Sequence, residues 1–136
     1  MRQENIHAEA QMYQKFAKLA KQLNLYLNHF PRAEKHALAA RIRNTLYEAY
    51  DLMVESQKRY QKKTTLTNLD ITHERLRMQL ALAYDLGYFN FKDGRILTDD
   101  DRPTEGRRYT LISAMVDELG RMIGGWINKV KEEQRW

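Results

Sequence analysis

Arg32, His36 and Arg43 fall on neighbouring angles of one helical flank, and Tyr47 and Tyr50 continue it. Cations interleaved with aromatic rings can meet phosphates and bases, so this flank is a candidate nucleic-acid surface. Lys35 lies among them, and Lys58, Arg59, Lys62 and Lys63 close the same segment. From Arg32 to Lys63 eight cations face four carboxylates, an excess of four positive charges. Lys15, Lys18 and Lys21 form a second basic stripe. A solvated face accounts for either stripe in an isolated helix; in a ring of subunits the same charge is multiplied and favours phosphate contact.

Catalytic constellations do not assemble. The four histidines, His7, His29, His36 and His73, form no H-x-x-x-H pair, and there is no cysteine to complete a zinc site. Glu4 to His7 is a single Glu-x-x-His, whereas a di-iron bundle needs two such units and two further inward glutamates. Arg32 and His36 stand one turn apart, a pair that helical nucleases use, but they open a helix without a supporting polar cluster. No glycine loop for phosphates follows a strand. The expectation is a protein without catalytic residues, metal or cofactor.

The elements that must position these residues are helices. Met12, Phe16, Leu19, Leu23 and Tyr26 recur at intervals of four and three, predicting a helix over about 6–28. Pro31 suits a first helical turn, and Leu38, Ile42, Leu46, Ala49 and Met53 carry the pattern over about 32–60. The polar QKKTT run ends that helix, and Asn68 or Asp70 can cap a third over 68–88. There Leu76, Leu80 and Ala83 form one apolar stripe and Met78, Leu82 and Leu86 another, which predicts burial on two sides. Residues 90–104 lack periodicity and read as a loop with an Asp-Gly turn and an acidic stretch. Ile112, Val116, Leu119, Ile123, Trp126 and Val130 mark a fourth helix over about 105–133. Four helices in 136 residues make a single all-α domain, an antiparallel four-helix bundle.

The absence of cysteine fits a reducing compartment, and no apolar run reaches the roughly 20 residues that span a bilayer. The polar opening MRQENIHAEAQ lacks an export h-region, so the cytoplasm is expected. The net charge of +5 allows an anionic partner without requiring one.

The stretch GRMIGGWINKV raises a separate question. Three helical glycines cost about 2 to 3 kcal/mol relative to alanine. Gly120 and Gly124 lie four apart with Gly125 beside them, so a neighbour can approach the bare backbone. That neighbour is either a bulky group of the same bundle, with Trp126 beside an aromatic of the first helix, or another subunit. Ala33, Ala37 and Ala40, set opposite Leu38, Ile42 and Leu46, favour a second subunit; alanine as a good helix former that tolerates exposure is the other reading.

LNHFPRAEKHALAARIRNTLYEAYDLM, ERLRMQLALAYDLGYF and ELGRMIGGWINKVK together resemble the accessory variability determinant (Avd) proteins of diversity-generating retroelements. The resemblance spans nearly the whole chain except the first few residues and Asn90 to Glu105, where the acidic loop looks longer than the family's usual link. It implies a four-helix bundle assembled into a homopentameric barrel, a noncatalytic accessory that binds the reverse transcriptase and engages template RNA or cDNA during mutagenic reverse transcription. Arg77 occupies the family's L-R-x-x-L pattern and Arg75 lies close by, so both are candidate contacts to the polymerase or its RNA; an ion pair to a neighbouring helix is the alternative for Arg75. The family belongs to a wider set of bundles related to proteins encoded in ribosomal RNA intervening sequences. An orphan oligomerisation protein of that type, with no polymerase partner, is the competing expectation.

Overall fold

The computed structural model describes residues 2–92 and 104–136, with side chains from Ile6 onward. Four helices run in order: α1 (Arg2–Asn28), α2 (Leu38–Lys58), α3 (Lys63–Asp85) and α4 (Thr104–Gln134). No strand occurs among the described residues. Each helix packs on its two neighbours in a closed four-sided arrangement, α1 on α2, α2 on α3, α3 on α4 and α4 on α1. The predicted loop with its Asp-Gly turn lies largely outside the described residues.

The core follows the apolar periodicity of every helix. Leu19 and Leu23 meet Ile42 and Leu46, with Leu66, Leu76, Ile112 and Ile123, in an interior without solvent access. One end is closed by aromatic rings. Gly87, at φ 81°, stops α3: its N–H reaches Tyr84 O at 2.9 Å and the Tyr88 N–H reaches Ala83 O at 3.0 Å, a Schellman ending that a left-handed glycine permits. The chain then turns Phe89 inward against Tyr26 and Phe30, with ring centroids 5.9 and 5.4 Å away.

Helix two begins at Leu38 rather than Arg32. After Pro31, Arg32–Glu34 form a 3-10 turn, and the chain is redirected before α2 starts. The link back is Glu34, whose carboxylate accepts the Leu38 N–H at 3.0 Å and the Tyr88 hydroxyl at 2.8 Å. Ala33 and Ala37 therefore sit exposed in the turn, and only Ala40 belongs to α2, so the three do not form one helical face.

Helix three begins at Lys63, five residues before the expected cap. The connection from α2 is short because the Lys62 ammonium folds back to donate to Ser56 O, Gln57 O and Arg59 O at 2.5, 3.2 and 2.6 Å. A cation at a helix C-terminus satisfies carbonyls that have no intrahelical partner. From α4, Gln134 fastens the same turn, accepting the Lys62 N–H at 3.1 Å and donating to Tyr60 O at 2.6 Å.

The second apolar stripe of α3 is not buried in the protomer. Met78, Leu82 and Leu86 remain 53, 50 and 51 % exposed, while Leu76 and Leu80 fill the core. Burial on two sides is thus met on one side only within a single copy.

Candidate nucleic-acid and partner surfaces

The basic residues of the second segment divide into three settings. Arg32, Lys35 and His36 occupy the turn before α2, exposed and without an ion pair or side-chain hydrogen bond among the described residues. At the far end of α2, Lys58 and Lys63 are likewise exposed and unpaired. The 21 residues of α2 place the two groups roughly 30 Å apart at 1.5 Å per residue. Between them Arg43 is held on α1, donating from Nε to Asn24 Oδ1 at 2.8 Å and from Nη2 to Asn28 Oδ1 at 3.1 Å.

The expected single flank is therefore broken where α2 begins. Tyr47 stays with Arg43, its hydroxyl accepting from Asn24 Nδ2 at 3.1 Å, whereas Tyr50 turns towards Phe16 with ring centroids 5.2 Å apart. The Asn24 and Asn28 amides, one turn apart on α1, are the signal in the sequence that a guanidinium can be clamped there.

At the α2–α3 turn, two of the four cations already have partners. Arg59 holds Glu55 Oε1 through Nε and Nη2 at 3.0 and 2.8 Å. Lys62 is turned to the carbonyls of α2, and partial burial pulls its ammonium below the ordinary lysine value against the opposing pull of Glu9 and Glu133. Lys58 and Lys63 are the cations at this end with no partner among the described residues; an open cleft of about 380 Å³ between α2 and α3 is lined by Arg59, Gln61, Thr64 and Asn68.

The second basic stripe is partly neutralised. Lys15 pairs with Glu118 of α4 at 2.7 Å, and this hydrogen bond, with the charges of Lys15, Arg121 and Lys18, holds the Glu118 carboxyl below the usual carboxylate range. Lys18 and Lys21 stay exposed.

Arg75 donates from Nη1 to Glu48 of α2 at 3.1 Å, an ion pair to a neighbouring helix of the kind weighed against a partner contact. Arg77 holds Glu74 with two hydrogen bonds of 3.0 and 2.6 Å, which lowers the Glu74 pKa and raises that of Arg77. Both pairs are exposed, and such pairs contribute only about 0–1 kcal/mol, so a partner's carboxylate or phosphate can take their place.

The glycines separate as well. A Cβ at Gly120 would lie 2.6 Å from His73 Cε1, so the close neighbour is the α3 imidazole rather than Trp126, which is half-buried against the core. His73 is buried, and its Nε2 stands 2.7 Å from Val116 O; a carbonyl only accepts, so Nε2 carries the proton. Around Gly124 and Gly125 nothing lies within 4 Å of a built Cβ, and both keep open backbone. The sequence does not foretell the His73 contact, because helix periodicity does not say which buried residue crosses a glycine.

Among the described residues no group of three or more histidine, aspartate or glutamate side chains could hold a metal, and no helix is long and apolar enough to cross a membrane. Glu4 of the Glu-x-x-His unit lies outside the described side chains. Comparison with curated proteins and with solved structures returns no match. A sequence model of the bAvd-like family matches residues 11–130, nearly the whole bundle, and the chain belongs to that family.

Proposed function

We propose that this protein is a noncatalytic accessory of a diversity-generating retroelement, acting in the cytoplasm with the reverse transcriptase and with template RNA and cDNA. Membership of the bAvd-like family across residues 11–130 carries this reading. Cations at the two ends of α2 that have no partner among the described residues support nucleic-acid binding through phosphates, at Arg32, Lys35 and His36 on one side and Lys58 and Lys63 on the other. The protein works as a closed homo-oligomer, of five copies by the resemblance, so a few free cations per chain recur around a ring. Arg75 and Arg77 contact the polymerase or its RNA by exchanging their exposed carboxylate partners.

Co-purification with the reverse transcriptase of a diversity-generating retroelement tests the reading, with and without the template RNA. Retention of both polymerase and RNA is the expected result. A chain that retains neither, or whose gene has no polymerase neighbour, is instead an orphan bundle of the intervening-sequence type.

A further inference from the structure

The α2–α3 turn holds an aromatic ring out in solvent. Tyr60 is 86 % exposed, whereas Tyr13 and Tyr47, the other exposed tyrosines, keep 54 and 46 %. A loosely held turn does not explain this. Gln134 of α4 donates to the Tyr60 carbonyl at 2.6 Å and accepts the Lys62 N–H at 3.1 Å, so the backbone is pinned on either side of Gln61. The Lys62 side chain, drawn onto the carbonyls of Ser56, Gln57 and Arg59, closes the inner side of the turn in place of the ring. One exposed ring is ordinary by itself, so its surroundings decide what it can do.

Residues 58–63 carry four cations and no carboxylate. Arg59 is held by Glu55 and Lys62 by carbonyls, which leaves Lys58 and Lys63, before and after Tyr60, exposed and without a partner among the described residues. Arg59 and Gln61, the chain neighbours of Tyr60, line the open cleft of about 380 Å³, with Thr64 and Asn68 across it and half-buried Leu52 behind. A nucleobase has a flat apolar face and an edge of donors and acceptors. The phenol ring suits the first, and the Gln61 and Asn68 amides with the Thr64 hydroxyl suit the second. An anchor tyrosine for a protein partner would be ringed by apolar side chains, whereas these neighbours are charges and amides.

We infer that the α2–α3 turn is a site for unpaired nucleotides: a base of single-stranded RNA or DNA stacks on the Tyr60 ring, Lys58 and Lys63 take the adjoining phosphates, and the edge of the neighbouring base meets Gln61 and Asn68 in the cleft. The inference rests on the nucleic-acid binding in the proposed function and names the kind of strand that this end of α2 takes. A duplex keeps its bases paired and stacked inward, so it offers the turn phosphates alone, whereas a single strand offers phosphates and an open base face. Because the backbone is pinned, the ring is presented before binding and little order has to be created. Tyr47 and Tyr50, the rings that the sequence sets beside cations, are engaged with Asn24 and Phe16, so the ring available to a base lies outside that flank.

Fluorescence anisotropy at several salt concentrations tests this with four labelled probes of about ten nucleotides: oligouridylate, oligothymidylate, an abasic deoxyribose-phosphate chain of equal charge, and a duplex. Tyr60→Ala is expected to weaken both single strands by about 5- to 150-fold and to leave the abasic chain and the duplex unchanged. Every salt slope should stay as it was, because the slope counts phosphates and not stacked bases. Tyr60→Phe should bind as the parent does, and Asn68→Leu should weaken the single strands alone. Both positions are exposed, so helicity by circular dichroism should not change. A response confined to oligouridylate or to oligothymidylate upholds the site and names its strand. Single-strand affinity that survives either Tyr60→Ala or Asn68→Leu overturns the inference, as does an equal loss on the abasic chain and the duplex; phosphate binding by the protein then still stands. A parent that binds no probe even at low salt removes that phosphate binding as well. If Tyr60→Ala keeps the oligonucleotides but loses the reverse transcriptase in co-purification, the ring is a protein contact and the inference fails.

Discussion

His73 lies across Gly120: its Cε1 is 2.6 Å from where a Cβ would stand, and its Nε2–H donates to Val116 O at 2.7 Å, one turn earlier on the same helix. The glycine lets α3 approach α4 closely enough for an imidazole to bond the α4 backbone. Its helix cost, about 0.5–1 kcal/mol, is offset by burial of a satisfied polar ring.

Gly120→Ala is therefore expected to destabilise the fold by about 1–3 kcal/mol, because the added methyl must displace a buried ring and lengthen its hydrogen bond. Denaturant unfolding of a monomeric form gives the number. In a His73→Ala background the same change should lose its penalty, since alanine at 73 removes the atoms it meets. Equal penalties in the two backgrounds would sever the link between these residues.

Gly124→Ala and Gly125→Ala should behave in the opposite way. With no neighbour within 4 Å, each added methyl stabilises the isolated helix by about 0.5–1 kcal/mol. The gain should be measurable by urea unfolding of the chain kept monomeric by dilution. A loss of stability there would mean that a contact inside the protomer, and not assembly, demands these glycines.

A pH effect centres on Glu34. The Leu38 N–H and the Tyr88 hydroxyl both donate to its carboxylate, and these bonds lower its pKa, the backbone bond most. A carboxyl whose folded pKa is depressed contributes stability that is present above its unfolded pKa and lost as pH falls through the folded one. Glu34→Gln should accordingly lower the melting temperature at pH 7 and make less difference as the solution becomes strongly acidic. A melting difference that stays constant through the acid range would remove the carboxylate from this role.

The four helices and their inward faces are legible in the sequence because a core stripe leaves a direct imprint: Leu19, Leu23, Ile42, Leu46, Leu76 and Ile123 all recur at helical intervals and are all buried. Boundaries are less legible. Nothing in periodicity reveals that Glu34 reaches forward to Leu38, or that Lys62 folds back on α2, because both depend on how the chain turns between helices. The site suffers most from this. Arg32 and Arg43 share a flank only if one helix carries both, and the 3-10 turn after Pro31 separates them. Met78 and Leu82 are visible as a second stripe, but periodicity marks an apolar face without marking that the bundle leaves it exposed.

The settings of the cations separate those that can serve phosphate from those that serve the fold. Lys58 and Lys63 have no ion pair or side-chain hydrogen bond among the described residues, whereas the neighbouring Lys62 ammonium is committed to three carbonyls. Lys62→Met should cost about 0.3–1 kcal/mol of stability through removal of the helix-end interaction, with little change in how RNA affinity depends on salt. Lys58→Gln/Lys63→Gln should do the reverse, leaving the melting temperature nearly unchanged while the log-log salt slope becomes shallower by about 0.7–0.9 for each phosphate that is no longer neutralised. Arg32→Gln/Lys35→Gln makes the equivalent change at the other end of α2, roughly 30 Å away. If an RNA spans both ends, the four-site combination should reduce the slope by the sum of the two pairs, because sites that distant do not share a partner. A slope altered by one pair alone would confine the RNA to that end, and a slope altered only by Lys62→Met would reverse the assignment of roles at the turn.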